Sequence, residues 1–130
     1  MSEKYYTQME AARKGIITEE MRAVARKEYR TEEEIRELVA KGQVAICANK
    51  RHKCLDPNGV GSMLRTKINV NLGVSKDCKD YEVEMEKVMA AVNMGAEAIM
   101  DLSSHGNTQP FRRKLTQECP AMIGTVPVYD

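Results

Sequence analysis

An α/β fold with parallel strands is predicted by three apolar runs in the second half of the chain, by the interval between them, and by the helical patterns that fill it. The runs are 67–71, 98–103 and 122–129, and each ends in a polar or functional cluster. From Asn71 to Met100 and from Met100 to Tyr129 the step is 29 residues both times. That is the length of one strand, one loop and one helix, so the pattern reads as consecutive βα units. In parallel α/β folds ligands bind where the strands end at their carboxyl side, which makes Asn71, Met100 and Tyr129 the first positions to test for function.

The elements follow in order. The first forty residues read as helical and solvent-facing. Thr18-Glu19-Glu20-Met21 opens a helix with Met21, Val24 and Ala25 on one face, a narrow apolar stripe. Thr31-Glu32-Glu33-Glu34 fits a capping box, in which hydroxyl and carboxylate satisfy free amides at a helix start. Ile35, Leu38 and Val39 continue that helix's buried side, and Gly42 suits a left-handed C-terminal cap. The acidic run favours the helix N-terminus electrostatically and otherwise forms a solvated face. Val44-Ala45-Ile46-Cys47 is a short strand, and 49–61, with Pro57, Gly59 and Gly61, reads as a loop or linker. The expected division is therefore 1–61, a helical region and linker, and 62–130, the repeating βα part.

From Thr66 the order is strand, helix, strand, helix, strand. The first helix begins near Asp80, carries Met85, Val88, Met89 and Val92 at i, i+3, i+4 and i+7, and stops at Gly95. A methionine stripe at that spacing reads as core packing. The second helix spans 108–118, with Pro110 in its first turn, Pro120 barring continuation, and Phe111 and Leu115 as buried contacts.

Composition excludes several classes. The 130 residues make one domain's worth of protein, and 42% hydrophobic content supports an ordinary core. With no Trp and one Phe, aliphatic and Met side chains must fill it. Twenty basic residues against 19 acidic ones give no field to attract nucleic acid or an anionic membrane. No run approaches the roughly 20 apolar residues of a membrane span, and Met1-Ser2-Glu3-Lys4-Tyr5 does not open a signal peptide. The chain reads as cytoplasmic. Cys47, Cys54, Cys78 and Cys119 match neither a CxxC pair nor an iron–sulfur run, so they are expected as reduced thiols that bind no metal.

Three parallel strands with two crossover helices cannot close a barrel; they leave two edges and an apolar face that proteins shield. The chain is thus expected to be the N-terminal part of a larger (β/α) domain, or to depend on a partner chain.

Four segments carry a family resemblance. Residues 7–21, the strand from Lys67 to Ser75 with its Asn-Leu-Gly, Met100-Asp101-Leu102-Ser103, and Gly124-Thr125-Val126-Pro127-Val128-Tyr129 closely resemble the phosphomethylpyrimidine synthase (ThiC) family of thiamin biosynthesis. The match runs over nearly the whole chain in the family's order. The resemblance implies a (β/α)8 barrel of the TIM type behind an N-terminal helical region, of which this chain holds only the first βαβαβ units. It implies a radical S-adenosyl-L-methionine carbon–carbon lyase: a [4Fe-4S] cluster on a C-terminal three-cysteine motif cleaves S-adenosyl-L-methionine. The radical starts the rearrangement of 5-aminoimidazole ribotide to 4-amino-5-hydroxymethyl-2-methylpyrimidine phosphate. It also implies a homodimer and a divalent metal such as zinc, bound by histidines later in the barrel.

Carried over by position, the family's substrate contacts match Asn71, Met100 and Tyr129. An Asn amide both donates to and accepts from an imidazole or ribose hydroxyl. Tyr129 offers a phenol and a ring face, and Met100 shapes the pocket. Asp101 is a further candidate for orienting a neighbour, with a structural hydrogen bond as its alternative. Asn71 capping a turn, Met100 in a core and Tyr129 on a rim are the plain structural alternatives. No catalytic residue is assigned.

The cluster cysteines and metal-binding histidines of the family have no counterpart here, so the chain alone is expected to be inactive. Asn69-Val70-Asn71-Leu72-Gly73 replaces the Asn-Ala-Asn-Ile-Gly typical of the thiamin enzymes, and His105 follows Ser103-Ser104. These differences, with Cys78 and Phe111-Arg112-Arg113, are also similar to the paralogous 5-hydroxybenzimidazole synthases of anaerobic cobalamin biosynthesis, which act on the same ribotide. His105 could move a proton near neutral pH or simply face solvent. A non-catalytic fragment or assembly partner is the reading from another class.

Overall fold

The computed structural model describes residues 5–129. It is a mixed α/β structure whose chain divides into two compact units.

The first unit comprises 5–48 and 57–66 of the described residues. Its helices are α1 (Gln8–Arg13), α2 (Glu19–Glu28) and α3 (Glu32–Ala40), with N-caps Thr7, Thr18 and Thr31. Each threonine hydroxyl accepts an amide of the first turn, which replaces a partner the helix itself lacks. At Thr31 the capping box is complete, because the Glu34 carboxylate also takes the Thr31 amide. The expected stripes are buried: Met21, Val24 and Ala25 on α2 and Ile35 and Val39 on α3 form one core with Ala11 and Ala12. Gly42 has the positive φ of a left-handed position after α3.

Strands β1 (Val44–Ile46) and β2 (Gly59–Gly61) pair antiparallel. The loop expected over 49–61 is corrected here, since its last three residues are a strand. The glycines that read as breakers instead permit close approach. A Cβ on Gly61 would lie 2.1 Å from the Gln43 carbonyl oxygen, and one on Gly59 would lie 2.9 Å from Val24 Cγ1.

The second unit comprises 49–56 and 67–129 of the described residues. Its sheet has strands β3 (Asn69–Leu72), β4 (Ala98–Asp101) and β5 (Met122–Thr125), all parallel in the order β3-β4-β5. Helices α4 (Tyr81–Asn93) and α5 (Thr108–Glu118) fill the two crossovers. The Asp80 carboxylate caps α4, accepting from the Glu82 and Val83 amides. Gly95 ends it with a positive φ. Met85 and Val88 of α4 and Phe111 and Leu115 of α5 pack with Ile99, Val70, Leu72 and Ile123 of the sheet. Met89 is exposed and Val92 only half-buried, so the inward face of α4 turns toward Tyr81, Glu84, Met85 and Val88.

The third apolar run is shorter as a strand than its pattern suggests. β5 stops at Thr125, and Pro127 opens a 3-10 turn, Pro127–Tyr129, because its ring nitrogen has no hydrogen to extend a ladder. Along β3 and α4 runs a cavity of about 430 Å³, lined by Ile68, Val70, Ala90, Ala91 and Met94 among others. No helix among the described residues is long and apolar enough to cross a membrane.

Candidate functional site

Strand alternation sorts the sheet's side chains into two faces. Val70, Leu72, Ile99 and Ile123 join the core beneath α4 and α5. The alternate positions, Asn69, Asn71, Ala98, Met100, Met122 and Gly124, therefore belong to the opposite face. Register makes a row across it: Asn71 pairs with Met100, and Met100 pairs with Gly124. The 29-residue interval matches the register because Asn71, the last residue but one of β3, meets the last but one of β4.

Asn71 is exposed and Met100 half-buried. The Asn69 side-chain amide donates to the Asn71 Oδ1 at 2.9 Å, which leaves the Asn71 NH2 group as its donor toward a ligand. A Cβ on Gly124 would lie 2.7 Å from Met100 Cε and 2.8 Å from its Sδ. The missing side chain at Gly124 is thus the space in which the Met100 thioether lies. In the sequence the only signal for this role is a glycine inside a strand pattern, which marks a close approach.

Tyr129 is not in this row. It closes the 3-10 turn after β5, with its amide bonded to the Val126 carbonyl at 3.0 Å, and it is half-exposed beyond the carboxyl end of the sheet. The structure brings Asn71 and Met100 together as cross-strand neighbours and places Tyr129 in the segment that follows the third strand.

Beneath the row the strand ends are held by buried acids. Asp101, fully buried, takes the Ser103 amide at 3.0 Å and the Ser103 hydroxyl at 2.5 Å on Oδ1, and Arg112 Nε at 2.8 Å on Oδ2. Its side chain lies on the helix side, so of the two roles open to it, the structure carries the hydrogen-bonding one. The Ser103 Oγ accepts the Val74 amide at 3.1 Å. Glu84 of α4, 1% exposed, accepts the Gly73 amide at 2.9 Å and bonds Lys87 Nζ at 2.6 Å. That hydrogen bond holds the Lys87 ammonium above its ordinary range. Sequence reading missed Glu84, although it falls on the face of α4 that carries Tyr81, Met85 and Val88.

His105 is exposed, with its Nδ1 3.1 Å from the Ser104 hydroxyl, while its backbone carbonyl accepts the Tyr81 phenol at 3.2 Å. A different cluster closes the far end of α5. There the Cys119 carbonyl meets His52 Nε2 at 2.5 Å and accepts from Cys54 Sγ at 3.2 Å. Burial pushes the Cys119 thiol up, away from the reactive thiolate. Among the described residues no group of three or more His, Cys, Asp or Glu converges as a metal site.

Comparison with known proteins gives these positions a context. The model of the radical SAM ThiC family matches residues 7–130. The phosphomethylpyrimidine synthase of Clostridioides difficile (strain 630) is 63% identical over 126 residues, covering 97% of this chain and 29% of the relative. That of Alkaliphilus oremlandii (strain OhILAs) is 62% identical over 127 residues, covering 98% and 29%. The enzyme of the same name from Clostridium botulinum (strain Hall) is 60% identical over 126 residues, with 97% and 29% covered. The chain spans about 29% of the length of these curated relatives, and over that span it belongs to the radical SAM ThiC family.

Proposed function

We propose that the chain is the N-terminal part of a phosphomethylpyrimidine synthase, holding the first strands of a (β/α)8 barrel and one wall of its substrate site. The observation that carries this reading is the 63% identity over 97% of the chain, joined to a parallel sheet whose strand ends align Asn71 with Met100. The apolar cavity along the β3 edge supports a sheet that continues, since a further helix of a barrel would pack against Ile68 and Val70 there. On this reading 1–61 is the helical region with its linker and 62–130 is the opening of the barrel.

The parent is a carbon–carbon lyase that takes 5-aminoimidazole ribotide to the thiamin pyrimidine phosphate. Its [4Fe-4S] cluster, when bound, supplies the electron that cleaves S-adenosyl-L-methionine to a radical. The described residues of this chain do not fit the ligand set for that cluster or for zinc. What the chain contributes is binding. The Asn71 NH2 group donates to an imidazole nitrogen or ribose oxygen, Met100 walls the pocket, and Tyr129 presents its phenol to phosphate or sugar. The parent works as a cytoplasmic homodimer.

Incubating the full-length parent with ribotide, reductant and S-adenosyl-L-methionine, then identifying the heterocycle by mass, tests the function. The pyrimidine phosphate is expected; 5-hydroxybenzimidazole would reassign the parent to the paralogous synthases, and no ribotide-dependent product would favour a non-catalytic role. Asn71→Ala in the parent is expected to weaken ribotide binding about tenfold, as loss of a hydrogen bond to a polar ligand does, with iron content unchanged. An unaltered ribotide titration would remove Asn71 from the site.

A further inference from the structure

We propose that Ser103 and Glu84 are positioning residues for the ribotide-binding face, acting as a two-sided clamp on the backbone that leaves β3 after Leu72, one residue past Asn71. The proposal rests on the substrate-site reading above and adds to it residues that touch no substrate.

Two consecutive amides are involved. The Gly73 amide donates to the Glu84 carboxylate from α4, and the Val74 amide donates to the Ser103 hydroxyl from the loop after β4. That hydroxyl donates its own hydrogen to Asp101, so it faces Val74 only as an acceptor. Backbone bonds reinforce the joint on both sides: Leu102 donates to the Leu72 carbonyl at 2.7 Å and Ser104 to the Val74 carbonyl at 3.1 Å. The Ser103 side chain thus continues the β3-β4 ladder beyond the strands' last paired residues, Leu72 and Asp101.

Loops at the ends of sheets ordinarily satisfy their amides with water and move accordingly. Here Glu84, Asp101 and Ser103 are each 1% exposed or less. Removing two carboxylates from water is costly unless their lone pairs are filled, and four of the donors that fill them or pass through Ser103 are backbone amides and a hydroxyl at this joint. A rigid strand exit fixes how far the Asn71 amide stands from the Met100 thioether across the register. That separation defines the width available to a ligand, and misplacement of binding groups by a fraction of an ångström to one ångström is felt in affinity.

The test uses the full-length parent, with steady-state kinetics for ribotide and for S-adenosyl-L-methionine. Ser103→Ala is expected to raise the ribotide KM about tenfold, with kcat, iron content and the KM for S-adenosyl-L-methionine little changed. Ser103→Thr, which keeps the hydroxyl, should restore most of the ribotide KM. If Ser103→Ala fails to fold, Glu84→Gln against Glu84→Met carries the same test. Gln keeps an acceptor for the Gly73 amide and should hold KM near the unsubstituted value, whereas Met should raise it. A drop in kcat alone with KM unmoved, or equal behaviour of Gln and Met at Glu84, would overturn the clamp. Asn71→Ala run alongside separates the two readings: if it weakens ribotide binding while Ser103→Ala and Glu84→Met do not, only the clamp falls. If Asn71→Ala is itself silent, the substrate-site reading falls first.

Discussion

Arg112→Met is expected to destabilise the protein by about 3–5 kcal/mol, the cost typical of stranding one member of a buried ion pair. Asp101 is fully buried and its Oδ2 receives Arg112 Nε at 2.8 Å, with the arginine side chain only 22% exposed. Met retains an unbranched aliphatic stem but removes the charge, so the carboxylate keeps only its two bonds to Ser103. Replacing both partners, Asp101→Leu with Arg112→Met, should cost less than Arg112→Met alone, because no uncompensated charge is then buried. The Ser103 amide and hydroxyl both lose their acceptor in the double variant, so some loss, about 1–2 kcal/mol, should remain. Urea unfolding measures the totals. Exchange of the Val74 amide reports the joint itself, and it should become much faster in both variants. A loss below 1 kcal/mol for Arg112→Met would mean that Asp101 reaches water in solution.

The elements that sequence reading placed well are those with local signals. Thr31 and Glu34 satisfy each other's amides within one turn, Asp80 caps α4 through its own side chain, and Pro110 and Pro120 bracket α5. None of these depends on a distant residue. β2 was missed because its signal is opposite to its cause. Gly59 and Gly61 look like breakers until the Gln43 carbonyl and Val24 are seen to occupy the space a side chain would need. The Asn71–Met100 pairing was readable because equal βα lengths return consecutive strands to the same register. Extending the same interval to Tyr129 passed over Pro127, which ends the ladder and sends the last residues into a turn. Glu84 was unreadable for a further reason. A charged residue on a helix is ordinarily solvated, and only the tertiary approach of the Gly73 amide makes its burial favourable. Local chemistry therefore predicted the helices, whereas the support beneath the candidate site needed contacts between strand ends.

Gly73→Ala should be more damaging than any other glycine-to-alanine change in the sheet unit, costing about 3–5 kcal/mol from two separate sources. Gly73 has φ +145°, a conformation that residues with a side chain rarely adopt. Its Cβ would also stand 2.5 Å from the Ser103 nitrogen and 2.7 Å from the Leu102 carbonyl carbon. Both obstacles are backbone, so relief requires the two strand exits to part, and parting them breaks the Leu102 to Leu72 and Val74 to Ser103 bonds together. Gly15→Ala gives the cost of a positive φ where no clash is added. That glycine has φ +78° but nothing within 4 Å of its added Cβ, so it should lose only about 1–2 kcal/mol. By contrast, Gly124→Ala meets only the mobile end of Met100. The side chain can swing aside, so stability should fall little while the space beside Met100, the proposed ligand wall, changes shape. Thermal and urea unfolding of the three variants should therefore rank Gly73 first, Gly15 second and Gly124 last. A Gly73→Ala variant with the stability of Gly15→Ala would mean that β3 and β4 separate at their ends without penalty, and would remove the rigid exit on which the alignment of Asn71 with Met100 depends.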